Sequence, residues 1–186
     1  SDDHVTLYHA RWEDVPADLL RADVLVTDPP YGMAYKHGAR KGGVKWGNDG
    51  VTIEGDAEPF DPAPLLALNL PTVLFGGNHF GSRLPDSRGW FVWDKRAGAG
   101  ASARAGAETA WSNCLSVVRL FSARWRGGQR EGRGQQEGRV HISQKPVALM
   151  AWVLSYLPDG TVLDPYMGSG STLVPGPGCG TGRHAR

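Results

Sequence analysis

The chain has 186 residues, of which 40% are hydrophobic, and a formal net charge of +1. This length and apolar content suit one domain with a buried core, and no apolar run approaches the ~20 residues that cross a bilayer. Cys114 and Cys179 lie far apart without ligand spacing and the first residues do not resemble a signal peptide, so we expect a soluble, cytoplasmic protein without disulfides or metal.

Short apolar runs alternate with helical stretches along the chain. The predicted strands are Val5–Tyr8, Val24–Thr27, Thr72–Phe75, Trp90–Trp93, Leu115–Phe121 and Thr161–Asp164. The predicted helices are Pro16–Arg21, Pro62–Leu70 and Pro146–Leu157. Several strands are apolar without a break, which is typical of strands covered on both faces. The pattern predicts an α/β fold with a doubly wound, mostly parallel sheet, whose ligands bind beyond the carboxyl ends of the strands.

Two charged, glycine-rich segments interrupt this alternation, and both are predicted to be loops. They cover residues 36–50 and 124–139, and each contains several basic residues on a nearly neutral chain. Such clusters suit either a surface that binds a polyanion or a solvated loop. The tail at 174–186, rich in glycine and proline, is predicted to be irregular.

Two aspartates end apolar runs, and proline follows each of them. They are Asp28 in VLVTDPPYG and Asp164 in TVLDPYMGSGST. Proline keeps the preceding residue extended and removes a backbone donor, so we expect each strand to end there with its carboxylate facing a cleft. Gly168 and Gly170 let a ligand approach the backbone closely. Because this loop lacks the dinucleotide and P-loop fingerprints, it suits either a nucleoside cofactor held through its non-phosphate parts or a plain turn.

The Asp-Pro-Pro-Tyr stretch resembles the catalytic motif of the DNA amino-methyltransferases, which use S-adenosylmethionine to methylate adenine or cytosine. The lone pair of an exocyclic amine is delocalised into the base, so two acceptors that take its protons make the nitrogen more nucleophilic. In this resemblance the Asp28 carboxylate and the Pro29 carbonyl are the acceptors, stiffened by Pro30, and Tyr31 stacks on a flipped base. The alternative is a merely rigid turn.

The resemblance extends over most of the chain. ETAWSN at 108–113 is similar to the family's ELAWT segment, and the stretch from HISQKP to the glycine loop is similar to the family's cofactor segment. By this resemblance the cofactor-binding residues are Gln144, Lys145, Asp164, Pro165, Tyr166, Gly168, Ser169, Gly170 and Thr172. The catalytic motif precedes the cofactor loop, as in the permuted group, and the intervening strands resemble those of small phage and prophage members.

In the permuted group the recognition segment lies between the two motifs, which here places it at 122–140. The expected partner is double-stranded DNA with a flipped base, and phosphate contacts would add salt-sensitive affinity that does not read sequence. The predicted DNA-binding residues are Lys36, Arg119, Arg124, Arg126, Arg130, Arg133 and Arg139. Whether the chain also binds a restriction partner or a second copy of itself is left open by the sequence.

The sequence departs from the family pattern near both ends. Arg11 stands where the family usually has an acid that holds adenine, with Glu13 or Asp14 as substitutes. The family continues past the cofactor loop with a helix and an acid-ended strand that binds ribose, whereas LVPGPGCGTGRHAR follows here. We therefore predict a methyltransferase domain at 1–173 and a tail that arises from a frameshift or truncation. Loss of the ribose contact would weaken cofactor binding by about ten- to hundredfold.

The predicted function is methylation of adenine in DNA, because the family tends to carry aspartate in the first motif position for adenine and serine for cytosine. The alternatives are cytosine methylation, methylation of an amide or of RNA by a related fold, and a non-catalytic remnant that only binds DNA. His79 is predicted to be an ordinary, satisfied loop histidine.

Overall fold

The computed structural model describes residues 5–34, 55–98, 106–126, 129–130, 144–173 and 184–185, with the backbone alone at 125–126, 129–130 and 184–185. In chain order its strands are β1 (Val24–Thr27), β2 (Thr72–Phe75), β3 (Gly89–Asp94), β4 (Ala107–Ser112), β5 (Val118–Ser122), β6 (Trp125–Arg126), β7 (Gln129–Arg130), β8 (Thr161–Leu163) and β9 (His184–Ala185). The α-helices are α1 (Ala63–Leu66) and α2 (Val147–Leu154). Short 3-10 turns lie at Trp12–Asp14, Ala17–Leu20 and Gly81–Arg83.

Within these residues, seven strands form one sheet in the order β5-β3-β4-β2-β1-β8-β9. Strand β4 runs antiparallel to β2 and β3, and the other neighbours pair in parallel. Strand β1 lies between β2 and β8, so that Leu25 is in register with both Thr72 and Leu163. The predicted α/β fold with a mostly parallel sheet is confirmed. It brings the carboxyl ends of β1 and β8 to one edge.

Both faces of the sheet are covered, as the unbroken apolar strands predict. Val24 and Val26 of β1 pack in a cluster with the apolar residues of α2. Leu25 points to the opposite face, where it packs with Leu65 of α1 and with Trp12. This alternation follows from the two-residue period of a strand. Because β1 is buried on both sides, the residues after it are held in a fixed place.

The predicted elements differ from the structure mainly at their ends. The predicted helix over 62–70 ends at Leu66, with Asn69 in the left-handed region at φ 53° and Pro71 after it. The predicted helix at 16–21 is a single 3-10 turn. Residues 6–8 form no strand. Strand β4 was not predicted, because polar residues interrupt its apolar pattern.

Two segments predicted to be irregular contain short strands. Strands β6 and β7 pair as an antiparallel hairpin within the predicted loop 124–139, and β9 pairs in parallel with β8 within the predicted tail. Pairing of this kind uses backbone groups, and β8, which would be the edge of the sheet without β9, offers them without any need for apolar partners. No described helix has the length and apolar character needed to span a membrane.

Candidate functional site

The ends of β1 and β8 are joined by a direct side-chain contact. Thr27, the last residue of β1, is fully buried and donates a hydrogen bond of 2.6 Å from Oγ1 to Oδ1 of Asp164. The same hydroxyl accepts a 3.1 Å hydrogen bond from the backbone N–H of Tyr166. The motif that starts at Asp28 therefore lies directly beside the glycine loop that follows β8.

The Asp28 carboxylate, which lies just beyond the end of β1, has two side-chain partners. Tyr31 donates its hydroxyl to Oδ1 at 2.5 Å, and the ammonium of Lys145 donates to Oδ2 at 2.5 Å. The Asp28 side chain is 21% exposed, so solvent still reaches it. Of the predicted site residues, the structure brings these three together. Pro29, which follows Asp28, is buried.

Lys145 lies between two carboxylates. Its Nζ is 2.5 Å from Asp28 Oδ2 and 3.3 Å from Glu108 Oε2, and its side chain is 8% exposed. Burial alone would lower the pKa of Lys145, but Asp28, Tyr31 and Glu108 together raise this pKa well above its ordinary value. The lysine is therefore charged. Its ammonium lies 5.4 Å from the centroid of the Phe75 ring, a cation–π distance.

Glu108, on β4, is a member of the site that sequence reasoning missed. Its Oε1 is paired with the ammonium of Lys95. Its Oε2 is buried and has no hydrogen-bond partner within the described residues. Burial favours the neutral form of Glu108, but Lys145 and Lys95 outweigh burial and lower the pKa of this carboxyl. The only sequence signal was the acid that begins ETAWSN.

The Tyr31 ring is enclosed rather than open. His79 stacks on it with ring centroids 4.7 Å apart and an interplanar angle of 11°. The ring also lies against the backbone of Gly76, where an added Cβ would be 2.0 Å from Cε1 of Tyr31. Burial raises the pKa of the Tyr31 hydroxyl, and Asp28 and Glu108 raise it further against the opposing effect of Lys145. His79 lies in the loop after β2, as predicted, and its ring covers a face of Tyr31.

Asp56 holds the chain that follows the motif. Its Oδ1 accepts hydrogen bonds from the backbone N–H groups of Tyr31, Gly32 and Met33, at 3.0, 2.9 and 3.2 Å. The residue is 3% exposed. Gly32 has φ 75°, and a Cβ there would lie 2.6 Å from the Glu58 carbonyl oxygen, so only glycine fits this turn. Sequence reasoning missed Asp56, since nothing in its neighbourhood forms a motif.

The Asp164 carboxylate does not face a cleft as predicted. It is buried, and its two oxygens accept hydrogen bonds from Thr27 and Thr172, each at 2.6 Å. The backbone N–H of Tyr166 adds a 3.2 Å bond to Oδ1. Burial raises the pKa of Asp164 to about 6, although these donors oppose the rise. Asp164 therefore fastens the glycine loop to the end of β1.

The glycine loop turns back toward Asp164 through two left-handed glycines. Gly168 and Gly170 have φ values of 52° and 75°, and an added Cβ on Gly168 would meet no atom nearer than 4.0 Å. The Ser169 hydroxyl lies 3.3 Å from that of Ser171. The Tyr166 hydroxyl accepts a 3.1 Å bond from the Trp12 indole. Pro165 lies within this loop, and Gln144 immediately precedes Lys145.

The structure describes only part of the predicted DNA-binding set. Arg124 is partly exposed just beyond β5. The Arg119 guanidinium lies 5.0 Å from the centroid of the Tyr156 ring, which is a packing contact on the protein itself. The described backbone includes residues 126 and 130, but the side chains of Arg126 and Arg130, and all of Lys36, Arg133 and Arg139, lie outside the described residues. Among the described residues, no group of His, Cys, Asp and Glu side chains could hold a metal ion.

Part of the chain is similar to a known protein family. Residues 88–175 match the model of a family described as "N6_N4_Mtase: DNA methylase". The matched segment contains Glu108, Lys145 and Asp164, whereas Asp28 precedes it. No curated protein matches the chain. Among solved structures, the chain is similar to the "crystal structure of M1.HpyAVI-SAM complex", with 21% identity, a TM-score of 0.46 and coverage of 90% of this chain and 86% of that chain.

Proposed function

We propose that this chain, whose residues 88–175 match the model of the N6/N4 DNA methylase family, transfers a methyl group from S-adenosylmethionine to the exocyclic amine of adenine in DNA. The observation that carries the proposal is the position of Asp28. Its carboxylate follows β1 directly, and the bond from Thr27 to Asp164 fastens that strand end to the glycine loop. An acceptor for an amine thus lies next to a loop suited to a nucleoside cofactor.

The residues of the loop fit the cofactor. The space beside Gly168 is open and the backbone there can be approached closely. In this proposal Tyr166, Gly168, Ser169 and Gly170 contact the cofactor, while Asp164 and Thr172 hold the loop through their mutual bond. When bound, S-adenosylmethionine supplies an electrophilic methyl group on a sulfonium centre.

Asp28 and Pro29 act on the amine. The Asp28 carboxylate and the Pro29 carbonyl each accept one N–H of the base, which returns electron density to the nitrogen and stabilises the positive charge that develops on it. The burial of Pro29 keeps its carbonyl in place before the base arrives. After methyl transfer the nitrogen gives up one proton, which Asp28 takes and passes to the solvent that reaches its side chain.

Tyr31 supplies the surface on which the flipped base stacks. A base inside the duplex cannot be reached, so it must turn out into the site. Since the His79 ring covers a face of Tyr31, entry of the base to that face displaces His79. His79 thus fills the place of the base when no DNA is bound.

We assign the methyltransferase domain to residues 1–173 and DNA phosphate contacts to the basic residues of 122–140 and to Lys36. Adenine is proposed over cytosine because aspartate stands first in the motif.

The test is transfer of a labelled methyl group from S-adenosylmethionine to unmethylated DNA, followed by digestion to nucleosides. The expected product is N6-methyladenine. N4-methylcytosine would keep the reaction class and overturn the choice of base. A chain that binds DNA in a salt-sensitive way, but neither binds S-adenosylmethionine nor transfers the methyl group, would be a non-catalytic remnant, and the proposed function would be wrong.

A further inference from the structure

The resting site presents a problem for the proposed chemistry. Asp28 must accept a hydrogen bond from the substrate amine, yet Tyr31 holds one of its oxygens and the Lys145 ammonium holds the other. The lysine also places a positive charge where positive charge must develop on the base nitrogen, and like charges repel strongly in a partly buried site. Each Asp28 oxygen can accept a second hydrogen bond, so the charge is the obstacle, and a Lys145 ammonium that moves away from Asp28 as the base binds removes this repulsion.

An acceptor for the withdrawn lysine lies close by. Oε2 of Glu108 is 3.3 Å from Lys145 Nζ, is buried, and forms no hydrogen bond within the described residues. The ion pair with Lys145 lacks hydrogen-bond geometry at this buried oxygen, so an ammonium that turns toward it gains stability. Lys95 donates to Oε1 of Glu108, which fixes the carboxylate and leaves Oε2 available to Lys145.

Lys145 can make this move without a change in the backbone. The ammonium is a compact charge with three donors on a flexible stem. It already lies between Asp28 and Glu108, at 2.5 and 3.3 Å. The Tyr31 and Phe75 rings, with centroids 5.9 and 5.4 Å from Nζ, stay favourable neighbours of the charge during a short displacement.

We propose that Glu108 is a positioning residue. When the substrate amine donates its hydrogen bond to Asp28, the Lys145 ammonium moves from Asp28 to Glu108. The inference rests on the proposed function, since it assigns a role at the same site. Glu108 does not touch the base. It acts through the lysine, because a Lys145 that pairs with Glu108 leaves the Asp28 carboxylate available to the substrate amine.

A double-mutant cycle in methyl transfer tests this coupling. Glu108→Gln keeps the size of the side chain but removes the charge that attracts the lysine, and should lower kcat about tenfold with KM for DNA within twofold. The Lys145→Met variant has no ammonium that could pair with Glu108, so adding Glu108→Gln to it should lower kcat less than twofold. Glu58→Gln, at an exposed side chain, is the control and should match the wild type. An equal loss in both backgrounds, or none in the wild-type background, would overturn the proposal.

A second measurement does not depend on turnover. The ¹H–¹⁵N signal of the buried Lys145 ammonium is followed while adenosine, which carries the amine alone, is added. The signal should shift in the wild type and stay in place in Glu108→Gln. A wild-type signal that does not shift contradicts the inference. This result can be read even if Lys145→Met is inactive and the double-mutant cycle cannot be completed. Failure of the proposed function gives a different result, namely no labelled methyl group on DNA from the wild-type chain.

Discussion

The same Asp-Pro dipeptide follows two neighbouring strands, but the two aspartates have different surroundings. Asp28 follows β1, keeps 21% of its side chain exposed, and meets a cation and a phenol. Asp164 follows β8, is buried, and meets two threonine hydroxyls and one backbone N–H. An Asp-Pro pair thus determines where a strand ends, whereas residues from distant segments determine whether the carboxylate serves chemistry or structure.

The largest expected effect falls on the exposed member of the pair. Asp28→Ala removes an acceptor for the amine, and should lower kcat for methyl transfer about 10²- to 10³-fold, which corresponds to about 3–4 kcal/mol in the transition state. Asp28→Asn keeps one acceptor oxygen and should lose less. Steady-state rates with labelled S-adenosylmethionine measure both.

The control for this substitution is Asp86→Ala, which removes an exposed carboxylate and should leave the rate unchanged. Thermal unfolding of all three variants shows whether the fold is kept. A rate that survives Asp28→Ala undiminished would remove the distinction between the two strand ends.

The buried member should reveal itself through pH. The pKa of Asp164 rises from 3.8 to about 6 on folding because of burial, so the native state holds the proton more tightly than the unfolded state. The raised pKa adds up to about 3 kcal/mol to the free energy of unfolding. This contribution is fully present below about pH 4 and is lost as the pH rises through 6. Asparagine does not ionise. The unfolding free energy of Asp164→Asn relative to wild type should therefore rise by up to that amount between pH 4 and 7.

Urea unfolding at four pH values across this range measures the difference. Asp86→Asn, at an exposed position, should differ from the wild type by the same amount at every pH. If the Asp164→Asn curve also runs parallel to the wild-type curve, Asp164 is not a buried acid with a raised pKa.

The parts of the fold that could be predicted are the strands with strong local signals. β1 and β2 have the predicted bounds, Val24–Thr27 and Thr72–Phe75, because each is a short run of apolar residues and threonine without a charge or a turn residue. β4 escaped prediction because Glu108 and Ser112 break its pattern, and its place is set by pairing with β2 and β3. Local pattern therefore predicts central strands better than strands that tertiary pairing defines.

The residues of the candidate site also divide into those that a local pattern identifies and those that only the tertiary structure brings there. The motif resemblance identified Asp28, Tyr31 and Lys145, which the structure brings together. It did not identify Glu108 or Asp56, because each reaches the site through strand register or a buried turn rather than through a recognisable spacing. Contacts between residues 25 or more positions apart are not visible in a single sequence.

A third prediction concerns the chain after Asp28. Asp56→Ala removes the acceptor for three backbone N–H groups at Tyr31, Gly32 and Met33. Hydrogen bonds to a charged acceptor contribute more than neutral ones, so the unfolding free energy should fall by about 1.5–3 kcal/mol, and methyl transfer should fall with it as Tyr31 loses its support. Urea unfolding and rate measurements test both effects.

Asp61→Ala is the matched control, since Asp61 also accepts a backbone N–H, that of Ala63 at 3.0 Å, but at the surface. Its loss should be about 0.5–1 kcal/mol, without an effect on transfer. Equal losses for the two variants would mean that the turn after Asp28 needs no buried anchor.

The smallest expected effect concerns His79, whose ring covers Tyr31. A stacked pair of this kind contributes about 0.5–1 kcal/mol beyond the buried area, and a base that displaces His79 must give that up. His79→Ala should therefore lower KM for DNA about two- to fivefold at unchanged kcat, because the exponential of this free energy is a factor of that size. His79→Phe keeps a ring on Tyr31, and should leave KM near or above that of the wild type. If His79→Ala raises KM instead, the imidazole helps to bind DNA, and the enclosure of Tyr31 is part of the recognition surface rather than a stand-in for the base.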